Sequence, residues 1–248
     1  VTLPQHVVPS LVGVVAGATV TVEGDEAHHA VVVRRLRVGE SVMLADGAGA
    51  VVTGEVSATT KRSFDVRVDQ VDVRTEPTPT VTVVQALPKG ERGELAVEVL
   101  TEIGAARIVP WGAARSVAIW KGERAAKSHA KWQSTAREAA KQSRRAWHPV
   151  VPPLAATAEV LALVGGADLA VVLHEDASEP LSALAVPDDG EILVVVGPEG
   201  GLTDDEVAAL VGAGAVAVRL GDEVLRTSTA GVAAVAALLA RTPRWGGR

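Results

Sequence analysis

Two loops carry the residue types that chemistry on a bound ligand requires. The first lies within Ile192-Leu-Val-Val-Val-Gly-Pro-Glu-Gly-Gly-Leu-Thr-Asp-Asp-Glu206, which reads as a buried strand, a turn holding Gly197, Glu199, Gly200 and Gly201, and a helix start with a Thr203/Glu206 capping box. A phosphate cradle is excluded. No Lys-Ser/Thr follows the glycines, and Asp204, Asp205 and Glu206 make the first helical turn anionic. Glycines admit close backbone approach, so the loop suits a neutral or cationic ligand; the alternative is a plain strand-to-helix turn, which would use one glycine rather than three. The second loop is Leu220-Gly-Asp-Glu-Val-Leu-Arg-Thr-Ser-Thr-Ala230. Arg226 is its only basic residue and stands beside Thr227, Ser228 and Thr229, each able to cap a helix. Arg226 either faces a ligand or pairs with Asp222 or Glu223.

Other chemistries lack their residues. The chain has no cysteine, and its six histidines (His6, His28, His29, His129, His148, His174) show no ligand spacing, so no metal is expected. There is no G-x-S-x-G elbow. His174, in Leu173-His-Glu175 at a strand end, is the one histidine placed to serve a site.

The elements that position these loops follow from periodicity. Apolar β-branched runs (81–87, 107–109, 169–174, 192–196, 215–220) alternate with helical segments (91–103, 123–147, 204–211, 230–240), which predicts a parallel sheet with crossover helices. In such sheets ligands sit at the carboxyl ends of the strands, where both loops fall. Before residue 75 the pattern differs: short β-rich runs (18–23, 41–44, 51–57, 63–73) around one helical patch at 25–36 predict a small β-barrel. Thr75-Glu-Pro-Thr-Pro-Thr80 is the linker, its prolines denying ladder hydrogen bonds. The expected domains are therefore 1–74 and 81–248.

Of 248 residues, 48% are hydrophobic and 22% charged, with mean hydropathy +0.25, which excludes intrinsic disorder. One Phe, no Tyr and five Trp leave the core to Val, Ala and Leu. The longest uncharged helical stretch, 230–240, is about half of what crosses a bilayer. The apolar run 7–22 holds Pro9, Gly13 and Gly17 with no basic residue before it, so neither export nor a membrane is expected and the cytoplasm is the expected location.

The net charge of −6 hides its distribution: residues 107–148 carry ten Lys/Arg against two Asp/Glu, between two acidic flanks. Projected at 100° per residue, Arg124, Lys127, Lys131, Arg137, Lys141, Arg144 and Arg145 fall within roughly 160° of arc, opposite Ala125, His129, Trp132, Ala136, Ala139 and Ala140. This is either a phosphate-binding face for a nucleic acid or a solvated helix face.

Five ordered segments resemble a known family: Gly197 to Glu206, Leu220 to Ala230, Glu102-Ile-Gly104, Arg115-Ser-Val117 and Glu138-Ala-Ala-Lys-Gln-Ser-Arg144. Together they are similar to the ribosomal RNA small subunit methyltransferase E family, over nearly the whole chain. The resemblance implies an α/β SPOUT domain with a trefoil-knotted parallel sheet, helices on both faces, and a PUA-like barrel before it. It also implies a homodimer that methylates N3 of one uridine in 16S rRNA, within the 30S subunit, using S-adenosylmethionine. Cofactor residues by this resemblance are Leu173, His174, Glu175, Gly197, Glu199, Gly200, Gly201, Leu220, Leu225, Thr227, Ser228, Thr229 and Ala230. RNA contacts are expected from Arg34, Arg35, Lys89, Arg115, Lys127, Lys131, Lys141, Arg144 and Arg145. Three departures stand out: no arginine in Val1-Thr-Leu-Pro-Gln5, Ser228 in place of a common Glu, and Val99 where Lys is frequent.

Uridine N3 is protonated at neutral pH, so its methylation needs proton loss and stabilisation of charge on O2 and O4. Arg226 is the expected catalytic residue, acting by fixed positive charge; Glu199, His174 or solvent remains for the proton. The alternatives are a SPOUT enzyme acting on a ribose 2′-hydroxyl, or a non-catalytic RNA-binding or ribosome-assembly protein.

Overall fold

The computed structural model describes residues 3–246; Val1 and Thr2, part of the arginine-free N-terminal run, lie outside the described residues. The chain divides into two compact units, one of residues 1–76 with 141–148 and one of residues 77–140 with 149–248.

In the first unit, strands β1 (Gln5–Val7), β2 (Thr19–Glu23), β3 (Ser41–Ala45), β4 (Ala50–Thr59) and β5 (Ser63–Val73) form one sheet in the order β1-β3-β4-β5-β2. All pairs are antiparallel except β1 with β3. Strand alternation buries Val52, Val56, Phe64, Val66 and Val68 together. Register shifts at Thr53/Gly54 and Val56/Ala58 mark bulges that bend the long β4–β5 ribbon. The helical patch is shorter than expected: α1 (Gly24–His28) runs into a π turn over His29–Val33, and Arg35 at φ 59° stops it. Three consecutive valines, stiff at χ1, are poor helix material.

The second unit holds β6 (Thr80–Ala86), β7 (Arg107–Trp111), β8 (Leu169–Leu173), β9 (Glu179–Pro180), β10 (Glu191–Val196) and β11 (Val216–Arg219) in one parallel sheet, order β7-β6-β10-β8-β11-β9. Its helices are α2 (Arg92–Ile103), α3 (Gly122–Gln142), α4 (Thr157–Gly166), α5 (Asp204–Gly212) and α6 (Thr227–Leu239). Successive strand residues face opposite ways and both faces are covered. Val83, Val171 and Val194 pack with Val97 and Leu100 of α2, Trp132 of α3 and Leu238 of α6. Val84, Val172 and Val195 pack with Val160 and Val164 of α4 and Leu210 of α5. Helix α4 and strands β1 and β9 add to the elements expected from sequence. The apolar α6 finds its cover inside this unit, so its composition alone does not call for a second subunit.

The division at Glu76/Pro77 falls inside the expected linker 75–80, but Thr80 already belongs to β6. The larger difference is at 141–148, expected in the second domain and packed in the first unit. Helix α3 ends at Gln142, short of the expected Trp147, and Arg144 at φ 53° turns the chain. Ala146 buries with Ala45 and Val51, and Trp147 Nε1 donates to the Arg74 carbonyl at 2.9 Å. Gly49 permits this approach: at φ 101°, a Cβ there would lie 2.8 Å from the Trp147 ring.

Lys141 closes a buried ionic cluster in the same unit. Its Nζ lies 2.9 Å from Glu26 Oε2, and His6 Nδ1 lies 3.0 Å from Glu26 Oε1, with all three side chains at most 10% exposed. Burial alone would raise the Glu26 carboxyl, but hydrogen bonds from His6 and Lys141 outweigh it and lower the pKa from 4.5 to about 2. A pKa depressed on folding contributes stability that is present above 4.5 and lost as pH falls toward 2. Glu26→Gln should therefore destabilise the protein at neutral pH by about 1–3 kcal/mol, and the deficit should shrink as acid protonates the wild-type carboxylate. Urea midpoints at several pH values check this; parallel curves for the two proteins would show that the carboxylate contributes nothing.

Candidate functional site

The carboxyl ends of β8, β10 and β11 open into one cavity of about 690 Å³ within the second unit. Twelve of the expected cofactor and catalytic residues line it: Leu173, His174, Glu175, Gly197, Glu199, Gly200, Gly201, Leu220, Leu225, Arg226, Thr227 and Ala230; Arg115, expected as an RNA contact, lines it too. Two expected cofactor residues do not. Ser228 is buried in the first turn of α6, and Thr229 turns its hydroxyl back to donate to the Arg226 carbonyl at 3.2 Å. Adjacency in a capping turn does not put successive side chains on one side, since each residue rotates by 100°.

The glycine loop is fixed from three directions. Gly201 takes φ 72°, a conformation that disfavours side chains. Thr203 caps α5: its Oγ1 accepts from Glu206 N at 3.2 Å, while Glu206 Oε2 accepts from Thr203 N at 2.9 Å. Glu206 Oε1 also accepts from Ala114 N at 2.7 Å, and the Arg115 guanidinium donates to the Gly200 and Leu202 carbonyls at 3.3 and 3.2 Å. Glu199 at the rim accepts from Lys89 N at 3.1 Å and from Arg92 at 3.2 Å. Arg92 lines the cavity without having been marked by any motif; its signal was only a cation at the start of α2, the helix that follows β6.

Arg226 is the N-cap of α6, its carbonyl accepting from Thr229 N and Ala230 N at 2.8 and 2.9 Å. Among the described residues its guanidinium has no hydrogen bond or ion pair, with Asp222 or with Glu223; Asp222 lies 3.6 Å from Arg219. The pairing alternative is thereby removed. Thr227 joins the two loops, donating to the Gly197 carbonyl at 2.7 Å and accepting from Gln85 Nε2 at 3.0 Å. The His174 Nδ1 accepts from Asp176 N at 3.2 Å. Carboxylates of Glu175, Asp176, Asp222 and Glu223 and guanidiniums of Arg92, Arg115 and Arg226 thus share one cavity with apolar Leu173, Leu220 and Leu225. Such a lining accepts a ligand bearing both charges and an apolar body.

The basic residues separate into several situations. Arg124, Lys127, Lys131 and Arg137 are exposed on α3, opposite the buried Trp132, Ala136, Ala139 and Ala140. Lys131 sits 3.0 Å from Glu94, and that hydrogen bond raises its pKa above 10.5. Lys141 is withdrawn into the pair with Glu26 and cannot serve as a free phosphate contact. Arg144 and Arg145 lie beyond the helix, so they do not continue its cationic side. Arg34 and Arg35 are exposed in the first unit, just after the π turn. The backbone amide of Lys89 and the guanidinium of Arg115 are engaged with the glycine loop.

Residues 74–239 match the family described as RNA methyltransferase domain, and residues 22–69 match the RNA methyltransferase PUA domain. The ribosomal RNA small subunit methyltransferase E of Mycobacterium bovis is 46% identical over 233 residues, covering 92% of this chain and 89% of that protein. A Legionella pneumophila protein solved in complex with the cofactor SAM superimposes with a TM-score of 0.89 at 26% identity, over 98% of this chain and 99% of that one. The Neisseria gonorrhoeae ribosomal RNA small subunit methyltransferase E bound to S-adenosyl methionine gives a TM-score of 0.85 at 29% identity, over 96% of this chain and 97% of that one. With a knitted pair of loops at the sheet's carboxyl edge and relatives alike over almost the full length, the chain belongs to the ribosomal RNA small subunit methyltransferase E family.

Proposed function

We propose that this protein methylates N3 of one uridine in 16S rRNA, within the 30S subunit, using S-adenosylmethionine. The cavity suits that cofactor: its volume falls among those that enclose ligands of this size, carboxylates and guanidiniums are present for the amino-acid moiety and the sulfonium charge, and leucines for the base. When bound, the cofactor supplies a methyl group on a cationic sulfur. The observation that carries the reading is the Arg226 guanidinium in that same cavity, without a hydrogen-bond or ion-pair partner among the described residues. A cation there stabilises the charge that spreads over O2 and O4 as N3 loses its proton. Proton acceptors in the cavity are His174 and Glu199, with solvent as a third route; both side chains already accept from neighbouring backbone amides.

Labelled methyl transfer to 30S particles and to naked 16S rRNA, followed by nucleoside identification, tests the function. Label on uracil N3 is the expected result; label on a ribose 2′-oxygen, or RNA binding with no transfer, would replace it. The reading includes cytoplasmic location, a trefoil-knotted path and a homodimer. For the dimer, the exposed Val117 and Ile119 offer apolar surface on the second unit, and light scattering at micromolar concentration decides.

Lys127 and Arg137 should bind phosphate. Replacing both by alanine should weaken rRNA binding and flatten its log-log salt slope by roughly 0.7–0.9 per lost contact, leaving cofactor affinity unchanged. An unaltered slope would return this face to plain solvation. Lys141→Ala, by contrast, should act on stability.

A further inference from the structure

At the carboxyl end of β6 stands a polar side chain sealed from solvent. Gln85 is 0% exposed and lies beside Val196 in the β6–β10 register, one residue before the glycine loop. Its Nε2 donates to the Ala86 carbonyl at 3.1 Å and to Thr227 Oγ1 at 3.0 Å, and Thr227 Oγ1 donates to the Gly197 carbonyl at 2.7 Å. Carbonyl oxygens only accept. Ala86 therefore fixes which end of the amide is nitrogen, and Gly197 fixes the direction of the Thr227 hydroxyl, so the relay runs one way.

What it holds matters for the site. The Gly197–Pro198 peptide has no N–H, and its carbonyl is the only hydrogen-bonding group by which that peptide plane can be oriented. At the other end, Thr227 follows Arg226 directly, so fixing Thr227 fixes the backbone from which the Arg226 side chain departs. Gln85 Oε1 has no partner among the described residues, which is unfavourable for a buried amide. An apolar side chain of similar length would avoid that cost. The contribution of Gln85 is then its two donated bonds.

We infer that Gln85 is a positioning residue for methyl transfer: through Thr227 it holds the glycine loop and the Arg226 backbone in mutual register. This rests on the methyltransferase reading above. The test compares Gln85→Leu, Thr227→Val, the double variant and Thr227→Ser by calorimetric titration with S-adenosylmethionine and by single-turnover methylation of 30S particles. Gln85→Leu and Thr227→Val should each weaken cofactor binding roughly tenfold and slow transfer at saturating cofactor. The double variant should be no worse than either single one. Thr227→Ser keeps the hydroxyl and should recover most of the affinity and rate lost in Thr227→Val. A folded Gln85→Leu with wild-type affinity and rate, or additive losses in the double variant, would overturn the relay. So would a lowered melting temperature with unchanged binding and rate, the mark of a purely structural amide. If Gln85→Leu fails to fold, wild-type behaviour of Thr227→Val overturns it equally. A wild-type protein that neither binds the cofactor nor transfers a methyl group would overturn the functional reading, and the relay with it.

Discussion

Arg226→Ala should slow methyl transfer by roughly 10²-fold or more at saturating rRNA, the scale of losing one oriented charge-stabilising donor. The guanidinium lines the cavity and has no partner among the described residues, so its removal strands no buried group. Its structural duty is discharged by its carbonyl, which caps α6 and which alanine retains. Cofactor and rRNA affinities should therefore change little. Arg226→Lys keeps a charge without the planar fork and should recover only part of the rate. Single-turnover methylation beside binding titrations separates the effects; a full rate in Arg226→Ala would remove the residue from the chemistry.

Gly200→Val should lower S-adenosylmethionine affinity roughly 10- to 100-fold, equivalent to about 1–3 kcal/mol of overpacking. From the sequence, the reason would be a side chain filling space kept for the ligand. The structure gives a different one: a Cβ at Gly200 would lie 3.1 Å from Arg115 Cβ and 3.2 Å from the Arg115 carbonyl. Neither contact belongs to the free end of a flexible side chain. Relief requires the loop to move off Arg115, which breaks the guanidinium's bonds to Gly200 and Leu202 and displaces the peptide groups facing the cavity. The loop is exposed at this point, so far-UV circular dichroism and cooperative unfolding should persist. Wild-type affinity in such a variant would detach this loop from the cofactor.

Five of the six strands of the second unit's sheet were legible because they are valine-rich apolar runs, and the glycine and Arg226 loops because each follows one of them; the two-residue β9 carries no such pattern. Other features left no local mark. Gln85 looks like the polar end of an apolar strand; its partners lie 142 residues away at Thr227 and one residue away at Ala86. Helix α3 loses its last expected turns without a glycine or proline to announce it. Ala146 and Trp147 keep the helical phase of the apolar side, yet they bury against the first unit. Counting charges placed Lys141 with free lysines because sequence cannot say that Glu26 and His6 will meet it. Ser228 and Thr229 entered with the whole Leu220–Ala230 segment through the family resemblance, and the helical rotation that begins at Thr227 leaves both out of the cavity lining.

The eight residues 141–148 also bear on how such a protein can be taken apart or recombined. A gene fusion or deletion with its junction in the proline-rich stretch would appear to exchange one whole module for another. It would in fact leave behind the segment that covers Ala45 and Val51, satisfies the Arg74 carbonyl and supplies the cation for Glu26. The two units are written into the chain as interleaved text, with three backbone crossings rather than one. Inheritance of the unit that matches the PUA domain and the unit that matches the methyltransferase domain is thereby coupled: neither can be shuffled away from the other by a single exchange without opening the core of the first.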